Sequence, residues 1–421
     1  MSAKQCIWII NHYAALESKD GWAGRHQALA SHLARQAWEP ILYLASTGHP
    51  VGRQHLRGMT MRVSAEEDGV RHLMLRTPGY EGNGLGRMLN MAVFGLQLLL
   101  PWNRRGITAP SLVIGSTVHP LAAWSAYRLA RTYKVPFVFE IRDVWPDALV
   151  HLGQLDEDSL PARAMRRLMS YLIRKADMVL SPLPGVADYV SALGVQGKPF
   201  LWVSNGAEAA DLPAPRDRED RDEFVFMYLG SFGNAMAVEH LVSAFERVCE
   251  ARPDLRLTFR LIGDGPKKSE FERQSAASSV ADRIHFEPRI ARKDVVSRAG
   301  EADCLVHSLH DHRVYDFGIS PNKLFDYLLA SRPIVFATNA QHNPISDSGA
   351  GRVVPAENVE AISDAMLAIV SMSQEERVAL GRKGRTHLLE HYTYAALADK
   401  LSEGLSALTG EAIDNSNKVQ Q

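Results

Sequence analysis

Cysteine is scarce in this chain. Three stand among 421 residues, Cys6, Cys249 and Cys304, widely separated and at no metal-binding spacing. So few, in an odd number, exclude a disulfide-stapled scaffold and fit a reducing compartment. Net charge is scarce too. Lys and Arg number 47 against 48 Asp and Glu, so no basic field argues for nucleic acid. Long apolar runs are missing. The first run, residues 6–10, is too short for a signal-peptide core, and no stretch reaches the ~20 apolar residues a spanning helix needs. A GxGxxG fingerprint with an acidic residue at dinucleotide spacing is also absent. What remains is an ordinary globular composition, 46% hydrophobic and 23% charged, long enough for two or three domains at ~100–200 residues each.

The pattern along the chain is an alternation. CIWII, PILYLA, SLVIGS, PFVFEIRD, MVLSP and PFLWVSNG read as strands, with helices at 25–36 and over LAAWSAYRLARTY. Residues 207–223, AEAADLPAPRDREDRDE, read as a linker. The alternation then restarts with FVFMYLGS, LRLTFRLIGDG, IHFEP, DCLVHSL, PIVFAT and GRVVP between helices, the last ending near 408 before a frayed tail. Apolar strands alternating with helices predict an α/β fold of two Rossmann-like, doubly wound parallel-sheet domains facing across a cleft. The boundaries expected are 1–205, a linker 206–223, a second domain 224–395, and a terminal helix and tail 396–421. Ligands belong beyond the carboxyl ends of such strands.

One segment within 86–106 stands apart. MLNMAVFGLQLLLPW carries arginines at both ends. It is too short to span a bilayer, so it either lies in a membrane interface or forms a core helix. The interfacial reading rests on Phe94, Leu96, Leu98, Leu99, Leu100 and Trp102 clustered between basic residues, and puts Leu98, Leu99 and Leu100 in lipid.

Several turns carry candidate chemistry. GWAGRH offers Gly21, Gly24 and Arg25 between a strand and a helix, where backbone N–H groups favour anions. His119 follows the strand SLVIGS. Glu140, Arg142 and Asp143 crowd one strand end, either as an internal charge network or as the lining of a polar pocket. In the second half the informative stretch is FGISPNKLFDYLLASRPIV. Ser320 is placed to cap a helix with Pro321 at its first position. Lys323 falls in the first turn, where a cation opposes the helix dipole. That cost makes sense beside a bound anion. Asp326, one turn on, pairs with Lys323 or accepts ribose hydroxyls. The motif fits a nucleotide diphosphate clamp.

GWAGRH, VSNGAEAADL, LIGDGP, FEPRI and LFDYLLASRPIV, in that order, resemble the retaining glycosyltransferases of family 4, the glycosyl transferases group 1 superfamily with the GT-B fold. STVHPLAAW, FEIRDVWPD and SPNKLFDYLLASRP resemble a bacterial subgroup that builds O-antigen, capsule and exopolysaccharide, including N-acetyl-fucosaminyltransferases. The resemblance implies a UDP-sugar co-substrate with no cofactor and no metal, a lipid-linked glycan acceptor, no nucleic acid, and a cytoplasmic protein peripheral to the inner membrane. It implies catalytic positions at His119, Glu140, Arg142 and Asp143. It implies donor contacts at Gly21, Gly24, Arg25, Gly230, Ser231, Gly263, Arg289, Ile290, Arg292, Gly318, Ile319, Ser320, Pro321, Asn322, Lys323 and Asp326. Asp326 takes the place of the second glutamate of the EX7E motif. Two departures stand out: Gly318 replaces the first glutamate, and GSFGNAMAVEH lacks the arginine and lysine that many relatives carry there. A UDP-sugar 2-epimerase of the same fold and a non-catalytic nucleotide-sugar-binding scaffold are the alternatives.

Overall fold

The computed structural model describes residues 4–20, 24–48, 52–82, 84–117, 119–151, 153–209 and 222–410. The chain divides into two compact units, 1–204 with 394–421, and 205–393. The first unit runs β1 (Gln5–Ile10), α1 (Glu17–Asp20), α2 (Arg25–Ala34), β2 (Trp38–Ala45), β3 (Thr47–Gly48), β4 (Arg53–Gln54), β5 (Arg62–Glu67), β6 (Val70–Leu75) and α3 (Leu85–Leu99). It continues with β7 (Leu112–Ser116), α4 (Pro120–Tyr133), β8 (Phe137–Glu140), α5 (Asp147–His151), α6 (Leu160–Lys175), β9 (Met178–Ser181), α7 (Val186–Ala192) and β10 (Phe200–Trp202).

Its main sheet is ordered β10-β9-β8-β7-β1-β2-β6-β5. β1 pairs in parallel with β2 on one side (Gln5↔Trp38) and with β7 on the other (Ile7↔Leu112). The strand order therefore reverses between β1 and β7, and the turns leaving those two strands flank a topological switch point. The buried strands carry continuous apolar residues because both their faces are covered. The edge differs. β5 pairs antiparallel with β6 through Asp68-Gly69, both at positive φ, a two-residue hairpin turn of the kind Asp-Gly favours.

The second unit runs β11 (Glu223–Leu229), α8 (Val238–Ala251), β12 (Arg256–Ile262), α9 (Lys268–Ala276), β13 (Ile284–Glu287), α10 (Val295–Ala299), β14 (Cys304–Ser308), α11 (Asn322–Leu329), β15 (Ile334–Ala337), α12 (Pro344–Ser348), β16 (Gly351–Val354), α13 (Val359–Val370) and α14 (Gln374–His391). Its sheet is wholly parallel, β13-β12-β11-β14-β15-β16, and its switch point lies between β11 and β14. The last helix, α15 (Tyr394–Thr409), packs on the first unit. There Trp38 Nε1 donates to Ser402 Oγ at 2.8 Å, and Tyr394, Leu397, Leu401 and Leu405 join the core of α2 and β2. Both units are thus Rossmann-like α/β layers. Most of the polar segment 207–223 lies outside the described residues; β11 begins at its end.

Candidate functional site

In the second unit, the turn after β11 interlocks with the turn after β12. Gly230 N donates to Ile262 O, Phe232 N to Asp264 O, and Lys267 N to Phe232 O, each at 3.0 Å. The fit depends on Gly263: a Cβ there would stand 1.8 Å from Gly230 O. Tyr327 Oη accepts from Leu229 N at 2.7 Å and donates to Leu229 O at 3.0 Å, so α11 clamps the exit of β11. One turn earlier on the same helix, Lys323 Nζ donates to Tyr228 Oη at 3.3 Å and lies over the Tyr228 ring at 5.2 Å. Tyr228 Oη in turn donates to Ser231 O at 2.6 Å. Burial pulls Lys323 down to about 8. Behind it sits His307, fully buried among Tyr228, Tyr327 and Phe336. Neither of its ring nitrogens has a hydrogen-bond partner among the described residues. Burial, then the Lys323 charge, hold His307 neutral.

Asp326 does not pair with Lys323. Arg292 takes it in a two-pronged grip, Nη2 to Oδ1 at 2.7 Å and Nη1 to Oδ2 at 2.5 Å. Burial raises the Asp326 carboxyl against the opposing pull of Arg292. Nor does Ser320 cap the helix. α11 begins at Asn322 with Pro321 at its N-cap and no side-chain cap bond. The Ser320 hydroxyl instead accepts from Asn205 N at 2.8 Å, and Asn205 Nδ2 donates to Ser320 O at 2.5 Å. Gly318 sits in the left-handed region at φ 92, bonded through its N to Tyr315 O, and Ile319 N donates to His342 O. Arg289 is exposed and Ile290 half-buried in the turn after β13. Asp316, the carboxylate two residues before Gly318, is exposed and 3.8 Å from Arg313.

In the first unit, the crowded charges resolve differently from their order in the sequence. Glu140 is fully buried, with one oxygen on Arg25 Nη1 and the other 2.5 Å from His26 Nε2. Arg25 also donates to Val203 O and Ser204 O. Asn11 Nδ2 donates to His26 Nδ1 at 2.8 Å, so His26 carries its proton on Nε2 toward the carboxylate. The His26 N–H and the Arg25 guanidinium hold Glu140 well below the usual carboxylate range despite its burial. Burial lowers His26 in spite of Glu140. Glu140 and Arg25 are therefore bonded to each other, and Arg25 also to the carbonyls that follow β10. Arg142 N donates to Thr117 Oγ1 at 2.9 Å, and Asp143 is exposed. Gly24 is the extended N-cap of α2. Gly21 lies outside the described residues.

His119 sits at the switch point as N-cap of α4, where its Nδ1 accepts from Ala122 N at 3.3 Å. Its Nε2 is 2.6 Å from His12 Nδ1, and His12 Nε2 is 2.6 Å from Asn90 Oδ1 on α3. Burial and the Arg87 charge lower His119 to about 3. Of these partners, His12, Asn90, Tyr228 and Tyr327 went unread in the sequence, because each meets its site across 78 to 107 positions.

The two units match two family descriptions. Residues 21–206 match "Glycosyl transferase 4-like domain" and 223–372 match "Glycosyl transferases group 1". The chain belongs to the group 1 glycosyltransferases. Its reaction is the transfer of a sugar from a nucleotide sugar. This glycosyltransferase is 23% identical over 344 residues to the probable glycosyltransferase WbjE of Pseudomonas aeruginosa, covering 78% of this chain and 81% of that one. In structure it resembles the lipopolysaccharide outer core galactosyltransferase WaaB (TM-score 0.62, 13% identity, 96% of this chain and 99% of that one). It also resembles Anabaena HepE in complex with UDP and glucose (TM-score 0.64, 10% identity, 96% and 100%). These structures share the GT-B fold.

Proposed function

We propose that this glycosyltransferase moves a sugar, of the acetamido class, from a UDP-sugar to a lipid-linked glycan acceptor in bacterial surface polysaccharide synthesis, with retention at the anomeric carbon. The observation that carries the donor reading is Lys323: a half-buried cation in the first turn of α11, beside the glycine turns of β11 and β12. A diphosphate placed there meets both the ammonium and unpaired helix N–H groups. Asp326 then serves the ribose, held in place by Arg292. As the bond from anomeric carbon to diphosphate oxygen breaks and the acceptor oxygen bonds to that carbon, the departing diphosphate takes the acceptor proton. Lys323 offsets the charge left behind. WaaB, a lipopolysaccharide outer core galactosyltransferase, supports the surface-polysaccharide setting, and HepE, in complex with UDP and glucose, supports UDP.

The acceptor's lipid points to a membrane surface. α3 turns Leu85, Met88, Leu89 and Leu96 outward, each more than half exposed, with Trp102 and Arg105 beyond its end. Phe94 and Leu98 face inward and are fully buried. The lipid-facing set is thus not Leu98, Leu99 and Leu100: Leu98 belongs to the core and the other two are half-buried. No helix among the described residues is long and apolar enough to cross a membrane. The proposed arrangement is a helix lying in the headgroup layer.

The deciding experiment is a thermal-shift panel of the purified protein with UDP, GDP, ADP, dTDP and UDP-acetamido sugars, repeated on Lys323→Ala. Binding to the folded state raises the melting temperature. UDP and one UDP-acetamido sugar should do so, and Lys323→Ala should shrink the shift. A shift with another nucleotide alone, or one unchanged in Lys323→Ala, would overturn the donor reading.

A further inference from the structure

A second apolar feature stands beside α3, within the same unit. Thr60 N donates to Arg57 O at 3.4 Å and closes a four-residue turn. Its central pair is Gly58, in the left-handed region at φ 52, and Met59. Arg76 clamps the turn from behind. Its Nε donates to Thr60 O at 2.6 Å, and its Nη2 donates to Gly58 O and to Arg57 O. The turn is therefore built, yet it holds its apolar side chains in water. Met59 at the tip is 89% exposed, more than any other large apolar side chain among the described residues, and Met61 and Val63 follow at 42% and 38%. Such residues scattered singly need no explanation. Grouped, and rimmed by polar side chains, they mark an interaction surface.

Two observations join this turn to α3. Arg62 Nη1 donates to Asn103 O at 3.0 Å and to Arg105 O at 3.2 Å, so the root of β5 is fastened to the segment that follows the helix. Met61 and Val93 line one groove of about 430 Å3, together with Gln54, Arg76, Pro78 and Gln97. The turn and the helix thus flank a single surface.

The charge on that surface is one-sided. Acid and base balance over the whole chain, 48 against 47. Residues 52–65 nevertheless hold Arg53, Arg57 and Arg62 and no Asp or Glu, and residues 84–108 hold Arg87, Arg104 and Arg105 and no Asp or Glu. Glu66 and Glu81 stand just outside these stretches. Apolar tips among cations suit an anionic lipid surface, where hydrocarbon takes the former and phosphates the latter. They do not suit a second copy of the chain, because a two-fold contact here would set arginine against arginine.

We propose that the turn 57–61 is a second lipid-facing element, with Met59 entering the headgroup layer of an anionic membrane beside α3 and Arg57 meeting the phosphates. This deepens, and rests on, the reading of α3 as a lipid-facing helix. A lone helix lying in that layer can roll about its own axis. A contact off the axis fixes the roll, so the first unit meets the membrane in one orientation.

The test uses the full chain and vesicles of phosphatidylethanolamine with phosphatidylglycerol, against phosphatidylcholine alone. The native cysteines are all buried, so Met59→Cys and Leu89→Cys can each be labelled with an environment-sensitive fluorophore. Both probes should brighten and shift to the blue on the anionic vesicles, and lipids brominated on their acyl chains should quench both. Met59→Ser with Met61→Ser should weaken vesicle binding roughly 10-fold and leave the melting temperature unchanged. Arg57→Gln should weaken it about fivefold, the worth of one basic residue at an anionic surface. A probe silent at 59 beside a responsive one at 89 overturns the second element and leaves the helix reading intact. A probe silent at 89 overturns the helix reading and the shared footprint with it. A dimer in solution that Met59→Asp dissolves, with no response to vesicles, would show that a second copy covers the surface and would overturn the lipid partner.

Discussion

Burial lowers the Lys323 ammonium to about 8 because its neighbours are Tyr228, Met236 and His307 in place of water. An anion bound against it would raise that value again. The linkage has a definite sign: below pH 8 the lysine is already protonated and UDP affinity is flat, and above pH 8 binding must take up a proton. UDP affinity should therefore fall toward tenfold per pH unit above about 8. Titration calorimetry across pH 7–9.5 in two buffers of different ionisation enthalpy would show it. Lys323→Arg, charged throughout, should flatten the profile, and Lys323→Ala should lose about 10- to 150-fold at pH 7. Lys323 and Asp326 are legible in SPNKLFD because a three-residue spacing on a helix is local. Their partners are not. Arg292 displaces Lys323 from Asp326 across 34 positions, and Asn205 takes the Ser320 hydroxyl across 115. Glu140 likewise looked like part of a run of neighbouring charges, and its true partners, Arg25 and His26, lie 115 and 114 positions away.

Among the elements, α3 shows what periodicity can and cannot reveal. MLNMAVFGLQLLLPW is apolar nearly all round, so its sequence leaves the inward face undecided; packing against α4 decides it, with Phe94 and Leu98 inside. Replacing Leu85, Met88, Leu89 and Leu96 together with serine should remove the protein from anionic vesicles in a flotation assay and leave its melting temperature within a few degrees. Leu98→Ser should instead destabilise by ~2–5 kcal/mol or more. The turn after β12 gives a sharper case. LIGDGP reads as a generic strand and turn, yet Gly263 is the point where two turns touch. Gly263→Ala should cost both stability and UDP binding, because Gly230 must move to admit the methyl group. The alternation of strands and helices was readable in outline, but β3 to β6 and α5 to α7 went unread. The antiparallel edge of β5 and β6 was signalled only by Asp68-Gly69.

Across the whole molecule, acid should act unevenly. Burial lowers His26, His72 and His119 in the first unit and His307 and His387 in the second. A histidine with a depressed folded-state pKa binds its proton in the unfolded chain first. Its contribution is intact above about 6.5 and is lost as pH falls, at ~1.4 kcal/mol per pH unit for each group. Calorimetry between pH 7 and 5.5 should therefore show the first unit's transition falling further than the second's.

The path of the chain has a consequence for synthesis. The second unit is a guest, spliced into its host between β10 and α15. Leu29, Leu33 and Trp38 wait for Tyr394, Leu397, Leu401 and Leu405 to cover them. At ~5–20 residues per second the ribosome takes roughly 10 to 40 s to make the intervening unit. The first part of the protein to be made is thus the last to be finished, and a nascent chain halted at 393 would leave its opening half with an exposed apolar flank.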